Sequence, residues 1–482
     1  MFNINDPKLI WVLPGAAGGN GTAGKPFGKI DNALKNAEPG STIVLKKGIY
    51  NGNLTIDLSG TAPMPIRITG ETETDAEIRN ACWFFYDTSD IIVTHLVFRD
   101  APHGAISLIG ACERNRFADI KFHNCGTSKE TACTFFAGGS GGNCNVVENC
   151  SFIHAEDESA VTSANASIGL MVTEGDEDGN KPLKHFIARR NRFVNYAYGI
   201  LIGSRDSTSH EYGHIVEYNE IDNCSSEGIL VKCGDTQIRG NLIRNCNRNS
   251  IAVQAGIGTI VEDNRVVDCR NGIRMSGPGH SVTNNCVIRC REHAVRVCGI
   301  NGESNPAVNL LIENNTFIDC GTQSTIDDIT VAGIRIDNGT TCIIRRNLVH
   351  GKGKPYQVVP SGQDSIVKKN GKSRHATEFV VADNISSGGC DQLNGFKATD
   401  VDFQKSGDDN FENGSGYGAT GWMLRRETFA PDVDESEKDY VEASVLESDD
   451  GNLILPEDTD PGKLFDSFFA ENDESPAEND EE

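Results

Sequence analysis

Short runs of alternating apolar and polar residues recur along most of the chain, broken every few residues by Asn or Gly. Period-two alternation marks strands with one buried face, and the interruptions mark turns. In register the chain reads Val-Val-Glu-Asn149, Ala-Arg-Arg-Asn191, Val-Glu-Tyr-Asn219, Ile-Arg-Gly-Asn241, Val-Glu-Asp-Asn264 and Val-Thr-Asn-Asn285, then Ile-Glu-Asn-Asn315, Ile-Arg-Arg-Asn347 and Val-Ala-Asp-Asn384. A single unit of this kind cannot bury its apolar face, so the units must stack at the strand spacing of ~4.8 Å. The pattern predicts an all-β fold, a right-handed parallel β-helix. Asn is expected at the bend because it tolerates left-handed backbone, and stacked copies can hydrogen-bond along the solenoid.

A second register follows each Asn: Gly199-Ile-Leu-Ile-Gly203, Gly228-Ile-Leu-Val-Lys232, Ser250-Ile-Ala-Val-Gln254, Gly272-Ile-Arg-Met-Ser276, Ala294-Val-Arg-Val-Cys298 and Gly333-Ile-Arg-Ile-Asp337. Alternation turns the second and fourth places inward and the third and fifth outward. The outward places hold Lys232, Gln254, Arg274, Arg296 and Arg335, which predicts a row of cations up one sheet, with Lys232 and Arg274 two coils or roughly 10 Å apart. Such a stripe suits the carboxylates or sulfates of an anionic polysaccharide, because a guanidinium offers each oxyanion a planar fork. Gln254, Arg296 and Arg335 are the substrate-binding candidates. Lys232 is the candidate base, since cationic neighbours favour a neutral amine able to take a proton beside a carboxylate.

Residues 26–38 read as a short amphipathic helix, which divides the chain into an N-terminal strand and capping helix (1–40), the β-helix (41–389), an irregular C-terminal cover (390–470) and a disordered acidic tail (471–482). Charge supports that last boundary. Of the net −25, residues 431–482 hold 20 Asp and Glu against Lys438 and Lys463, so the other 430 residues carry only −7. The hydrophobic content of 38% with 51 glycines suits a narrow core of aliphatic ladders. Cys224, Cys246, Cys269, Cys290 and Cys320 each lie five residues after a repeated Asn. That placement favours a ladder of buried thiols over disulfides. No run is apolar for long enough to span a membrane, and the first residues carry neither a basic nor an apolar signal region. The expected location is extracellular after removal of a leader, or alternatively a virion, with neither nucleic acid nor membrane as partner.

Residues 190–256 resemble the active-site coils of polysaccharide lyase family six, β-helix enzymes that cleave alginate or dermatan sulfate. The resemblance implies a calcium ion that neutralises the uronate carboxylate, a Lys base and an Arg acid. Matched on the Gly-Ile strand starts, Asn195 in Asn-Tyr-Ala-Tyr-Gly and Glu227 in Ser-Ser-Glu-Gly-Ile take the calcium-ligand places, and Lys232 takes that of the base. Two places depart from the family: its other Glu is Ser225 here, and its Phe-Arg-His-Gly-Asp-His block reads Ala252-Val-Gln-Ala-Gly-Ile257. Arg274, one coil further on, is the nearest substitute acid.

Other signals are weaker. Asp100-Ala-Pro-His103 is similar to the Asp-Pro-His motif of mannuronan C5-epimerases, apart from an inserted Ala. Asp176-Glu-Asp178-Gly-Asn180 lacks the full calcium-loop spacing, and Gly19-Asn-Gly-Thr-Ala-Gly24-Lys25 puts Pro26 where a phosphate loop needs Ser or Thr. Three functions remain in view: a uronate polysaccharide lyase, a non-catalytic polysaccharide-binding β-helix such as a trimeric phage tailspike or an adhesion protein, and an epimerase.

Overall fold

In a computed structural model of the chain, the described residues are 8–127, 133–138, 141–155, 167–173, 183–203, 212–299, 306–323, 331–337, 339–358 and 378–399, with the pairs 404–405 and 411–412. The acidic tail, the Asp176–Asn180 run and most of the segments inserted between coils lie outside them. Three parallel sheets of 14, 14 and 12 strands run the length of the described chain. Each coil gives one strand to each sheet in turn, as in Gln237–Arg239, Leu242–Arg244 and Asn249–Val253, before Ile260–Glu262 returns to the first sheet. Stacked coils pair in register, for example Ile229 with Ile251 and Ile251 with Ile273. The architecture is the parallel β-helix that the repeat predicts.

The second sheet continues past residue 389, because Phe396–Ala398 pairs with Asn384–Ser387. The helix expected over 26–38 is confined to Ile30–Leu34, whose Ile30, Ala33 and Leu34 are buried. No helix among the described residues is long and apolar enough to cross a membrane.

The corner between the first and second sheets shows what the Asn repeat does. Asn191, Asn219, Asn241, Asn264, Asn285, Asn315, Asn347 and Asn384 are each at most 1% exposed. The backbone N–H of each of the first seven donates to the Oδ1 of the next at 2.9–3.0 Å, and that of Asn384 donates to Gly395 O at 3.1 Å. Their amides also donate to core carbonyls, as Asn264 Nδ2 does to Ile238 O at 2.7 Å. An unmade buried hydrogen bond costs about 1–3 kcal/mol, so the ladder satisfies a corner that would otherwise bury open polar groups.

The left-handed backbone sits elsewhere than expected, on the residue before each ladder Asn. Arg190, Tyr218, Asp263, Asn284, Asn314, Arg346 and Asp383 have φ between 50° and 56°. Arg and Tyr have no preference for that region; the hydrogen bonds on either side hold them there. For the same reason Asn149 is not a ladder member. It has φ 52° and is exposed, while Cys150 takes the slot and donates its N–H to Asn191 Oδ1 at 3.0 Å.

At the corner between the second and third sheets, Cys224, Cys246, Cys269, Cys290 and Cys320 stack in successive coils, none more than 6% exposed. Cys246 N–H donates to Cys269 Sγ and Cys290 N–H to Cys320 Sγ, each at 3.4 Å. Further toward the N-terminus the core thickens with rings: Phe98, Phe122, Phe152 and Phe193 stack with centroids 5.5, 4.6 and 4.5 Å apart. All sixteen cysteines are free thiols, and burial pushes Cys125, Cys286 and Cys342 up to about 12. Denatured, unreduced protein is therefore expected to titrate all sixteen thiols with a thiol reagent. A count of half that would mean bridges in place of the ladder.

Candidate functional site

The predicted outward residues fall on the third sheet, and strand register assigns them to two columns. Arg274, Arg296 and Arg335 are direct partners in three successive coils. Lys232 stands in the next column along the strands, in line with Gln254, Ser276, Cys298 and Asp337. Each of these donates its backbone N–H to the strand of the coil before, as Lys232 does to Ile202 O at 2.8 Å and Gln254 to Val231 O at 2.8 Å. The expected single row of cations is thus split between two columns, with three arginines in one and Lys232 as the one cation named in the other. The columns lie two residues or roughly 7 Å apart along the strand, which puts Lys232 and Arg274 at roughly 12 Å.

Register also shows what stands in the arginine column nearer the N-terminus. Met171, Leu201, Leu230 and Ala252 occupy it in turn before Arg274. Leu201, Leu230 and Ala252 form a small apolar cluster with Ile168 on the outer side of the sheet and are at most 8% exposed. Lys232, itself half-buried, therefore sits where an apolar stretch of this face gives way to a cationic one.

The arginines differ in environment. Arg296 donates Nε and Nη2 to Asp337 Oδ2 at 2.9 and 2.7 Å, and Arg335 donates Nε to Asp337 Oδ1 at 2.7 Å. Asp337 is 2% exposed at its side chain, Arg335 6% and Arg296 26%. Arg274 is half-buried and donates Nε to Cys298 Sγ at 3.2 Å. Of the three, Arg274 is the one that no carboxylate among the described residues holds, and so the one best able to turn toward a ligand oxyanion.

Asn195 and Glu227 do not fit a calcium shell, which takes 6–8 oxygen ligands. Asn195 is a corner residue with φ 64° and is 4% exposed. Its Oδ1 accepts from Asn223 Nδ2 at 2.7 Å, while its Nδ2 donates to His154 O at 3.2 Å. Glu227 is fully buried. Its Oε2 accepts from Ser226 Oγ, and its Oε1 from Asn249 Nδ2 at 3.1 Å, with Arg248 Nη1 at 3.5 Å. Ser225 replaces the further carboxylate. Among the described residues no three His, Cys, Asp or Glu side chains converge as metal ligands.

Glu227 instead belongs to a column at the strand starts, after Ile168 and Tyr198, which the sequence reading followed for only one coil. Asn249, Asn271 and His293 succeed it, the last two pairs in register. Gly228 follows Glu227 because a Cβ there would approach Ser250 O to 2.7 Å and Ile243 Cγ2 to 2.8 Å. Arg270 donates Nε to Glu292 Oε1 at 2.9 Å beside this column. Burial, reinforced by Arg335 and Arg296, pushes His293 down to about 3, so its imidazole is neutral at physiological pH. Strict alternation puts the place before each Gly or Ala on the inward side with the second and fourth places, so the period alone does not single this column out.

Comparison with known proteins agrees with this architecture. Residues 176–323 match the family model described as a right handed beta helix region. An uncharacterized protein of Bacillus subtilis strain 168, YwoF, is 29% identical over 102 residues, 19% of this chain and 22% of that protein. Among solved structures, the family-six alginate lyase AlyGC superposes with a TM-score of 0.60 at 19% identity, covering 82% of this chain and 56% of that one. A mannuronic acid specific family-six lyase from human gut microbiota gives 0.56 at 20% identity, covering 76% and 89%. The family-six lyase Pedsa3628 of Pseudopedobacter saltans gives 0.55 at 16% identity, covering 78% and 92%. The chain thus spans about a fifth of the Bacillus protein and just over half of AlyGC. From the sheets, the register and these likenesses together, the chain is a right-handed parallel β-helix that resembles polysaccharide lyase family six.

Proposed function

We propose that the chain is a polysaccharide lyase that cleaves an anionic polymer containing uronic acid, alginate-like or glycosaminoglycan-like, by β-elimination. One observation carries the reading: on a fold like that of the family-six lyases, Lys232 and three arginines occupy neighbouring columns of one outer face. In this reaction a base removes the proton next to the carboxylate. The electrons of that C–H bond form a C=C double bond as the glycosidic C–O bond breaks, and the leaving oxygen takes a proton from water. Lys232 is the base. Arg274 faces the carboxylate or the leaving oxygen, while Arg296 and Arg335, with Gln254 in the Lys232 column, bind neighbouring sugars. Cationic hydrogen-bond donors stabilise the charge that develops on the carboxylate.

The test is incubation with alginate, dermatan sulfate and pectate while following the ultraviolet absorbance of the unsaturated product. Absorbance should rise with at least one of them; a flat trace with all three rejects the lyase. Because the oxygens of Asn195 and Glu227 are already engaged, a chelator is expected to leave the rate within about twofold. A tenfold loss restored by added calcium would put the ion back into the mechanism. A second reading, polysaccharide binding without cleavage, is favoured by Ser225 and Gln254 at places where the family pattern has Glu and a cationic block. It predicts retained polymer binding with no absorbance, whereas an epimerase would alter sugar composition without cleavage.

A further inference from the structure

Toward the N-terminus from Lys232, the outer face of the third sheet carries aromatic rings that the chemistry above leaves unused. Phe84 and Tyr86 are the two outward residues of the strand Trp83–Tyr86, and their ring centroids lie 6.4 Å apart with planes at 25°. Tyr86 is 40% exposed and Phe84 is half-buried. Two coils on, in the column of Phe84, stands Phe136, also half-buried. Its ring leans over the neighbouring column, because a Cβ at Gly138 would collide with Phe136 Cζ and Thr173 Oγ1. That neighbouring column is the one that leads to Lys232. In register it reads Tyr86, Ile109, Gly138, Thr173, Gly203 and Lys232, since the three between Ile109 and Lys232 donate their N–H to the coil before as Lys232 does. Ile109, Thr173 and Lys232 are half-buried, so the column keeps accessible surface from Tyr86 to Lys232.

The make-up of this stretch limits what it can take. Between Phe84 and Leu230 in one column, and between Tyr86 and Gly203 in the other, no residue is charged. Phe136 lies three coils or ~14 Å from Lys232, and Tyr86 five coils or ~24 Å. Rings without charge suit the face of a sugar and not its edge. A pyranose carries its hydroxyls and carboxylate around the rim and C–H bonds on its faces, and those hydrogens are drawn to the negative face of an aromatic ring. Burial of the two apolar surfaces adds to the attraction. A track of roughly 24 by 7 Å falls well short of the ~800 Å² that a stable protein interface takes from each partner, so a narrow polymer fits it better than a protein.

We propose that Phe84, Tyr86 and Phe136 form a sugar-stacking platform that seats the uronic-acid polymer on the N-terminal side of Lys232, opposite the arginines on its C-terminal side. The polymer is then held by its ring faces before Lys232 and by its carboxylates after it. The platform rests on the polysaccharide reading but not on cleavage, because stacking serves a lyase and a binding protein equally.

The test is equilibrium binding of alginate, dermatan sulfate and pectate by calorimetry in a Lys232→Ala background, which prevents turnover. Tyr86→Ala/Phe136→Ala and the ring-keeping Tyr86→Phe are each added to it, and thermal melting identifies the variants that keep the fold. Tyr86→Ala/Phe84→Ala, both on one strand, supplies the comparison should Phe136→Ala not fold. The expected result for a folded double variant is about a tenfold weaker Kd for the polymer that binds best, with Tyr86→Phe within about twofold of the background. The loss should be the same at low and high salt, because stacking carries no net charge whereas contacts with exposed arginines are screened. A double variant within about twofold of the background, or a loss confined to low salt, would overturn the platform and leave the polysaccharide reading standing. If the background variant binds none of the three polymers, both are overturned.

Discussion

Protein carrying Lys232→Ala is expected to lose elimination activity by roughly 10²–10⁴-fold, the usual contribution of a positioned general base. The loss should fall on kcat with little change in KM, because the arginines that hold the polymer stand in a different column. Lys232→Arg should be nearly as impaired, since a guanidinium does not give up its proton at working pH and cannot take one from the substrate. The fold should survive. Lys232 is half-buried and on the outer face, and its backbone N–H still donates to Ile202 O. Rates are read from the product's ultraviolet absorbance on whichever polymer the wild-type chain cleaves. Retention of activity within about threefold in Lys232→Ala would move the base elsewhere and remove the main argument for this part of the face as the reacting centre.

The parts of the molecule that were legible in the sequence are those that every coil repeats. Asn219, Asn241 and Asn264 recur because each must accept the N–H of the coil before it, and Cys246 and Cys269 recur because each is buried at the next corner against the thiol of the neighbouring coil. Such ladders impose one residue type at a fixed period, so the period reveals them. Where the left-handed residue falls was not legible. Arg190, Tyr218 and Arg346 adopt φ near 55° without any intrinsic preference, under constraint from hydrogen bonds that only stacking creates. The site was partly legible. Alternation assigned Lys232 and the arginines to the outer face correctly, yet it could not show that two outward places per strand make two columns. Nor could it show that Leu230 and Ala252 are buried there, or that Asp337 closes on an arginine 41 residues away in sequence. Those properties come from contacts between coils, and inserted segments of unequal length hide them from any reading along the chain.

Removal of the Asp337 carboxylate is expected to cost more stability than any other single change on this face. In the folded chain its two oxygens receive three hydrogen bonds from Arg296 and Arg335. Arg335 is almost as buried as Asp337 itself. Taking one partner from a buried, hydrogen-bonded charge pair typically costs about 3–5 kcal/mol, because the other charge stays in a low-dielectric site without compensation. Asp337→Ala should therefore lower the urea midpoint markedly. Asp337→Asn should recover only part of the loss, since an amide accepts through one oxygen and carries no charge. Arg296→Ala should cost less, because that side chain is 26% exposed and water can replace part of what it loses. The decisive comparison is the double variant Asp337→Ala/Arg335→Met. Since replacing both members of a buried ion pair by apolar groups is often close to neutral, the double should be more stable than Asp337→Ala alone. If its destabilisation instead equals the sum of the two single losses, the pair is not coupled. Asp337 would then not be what keeps Arg335 charged inside the sheet, and the alignment of Arg296 and Arg335 as a polymer-binding column would need another cause.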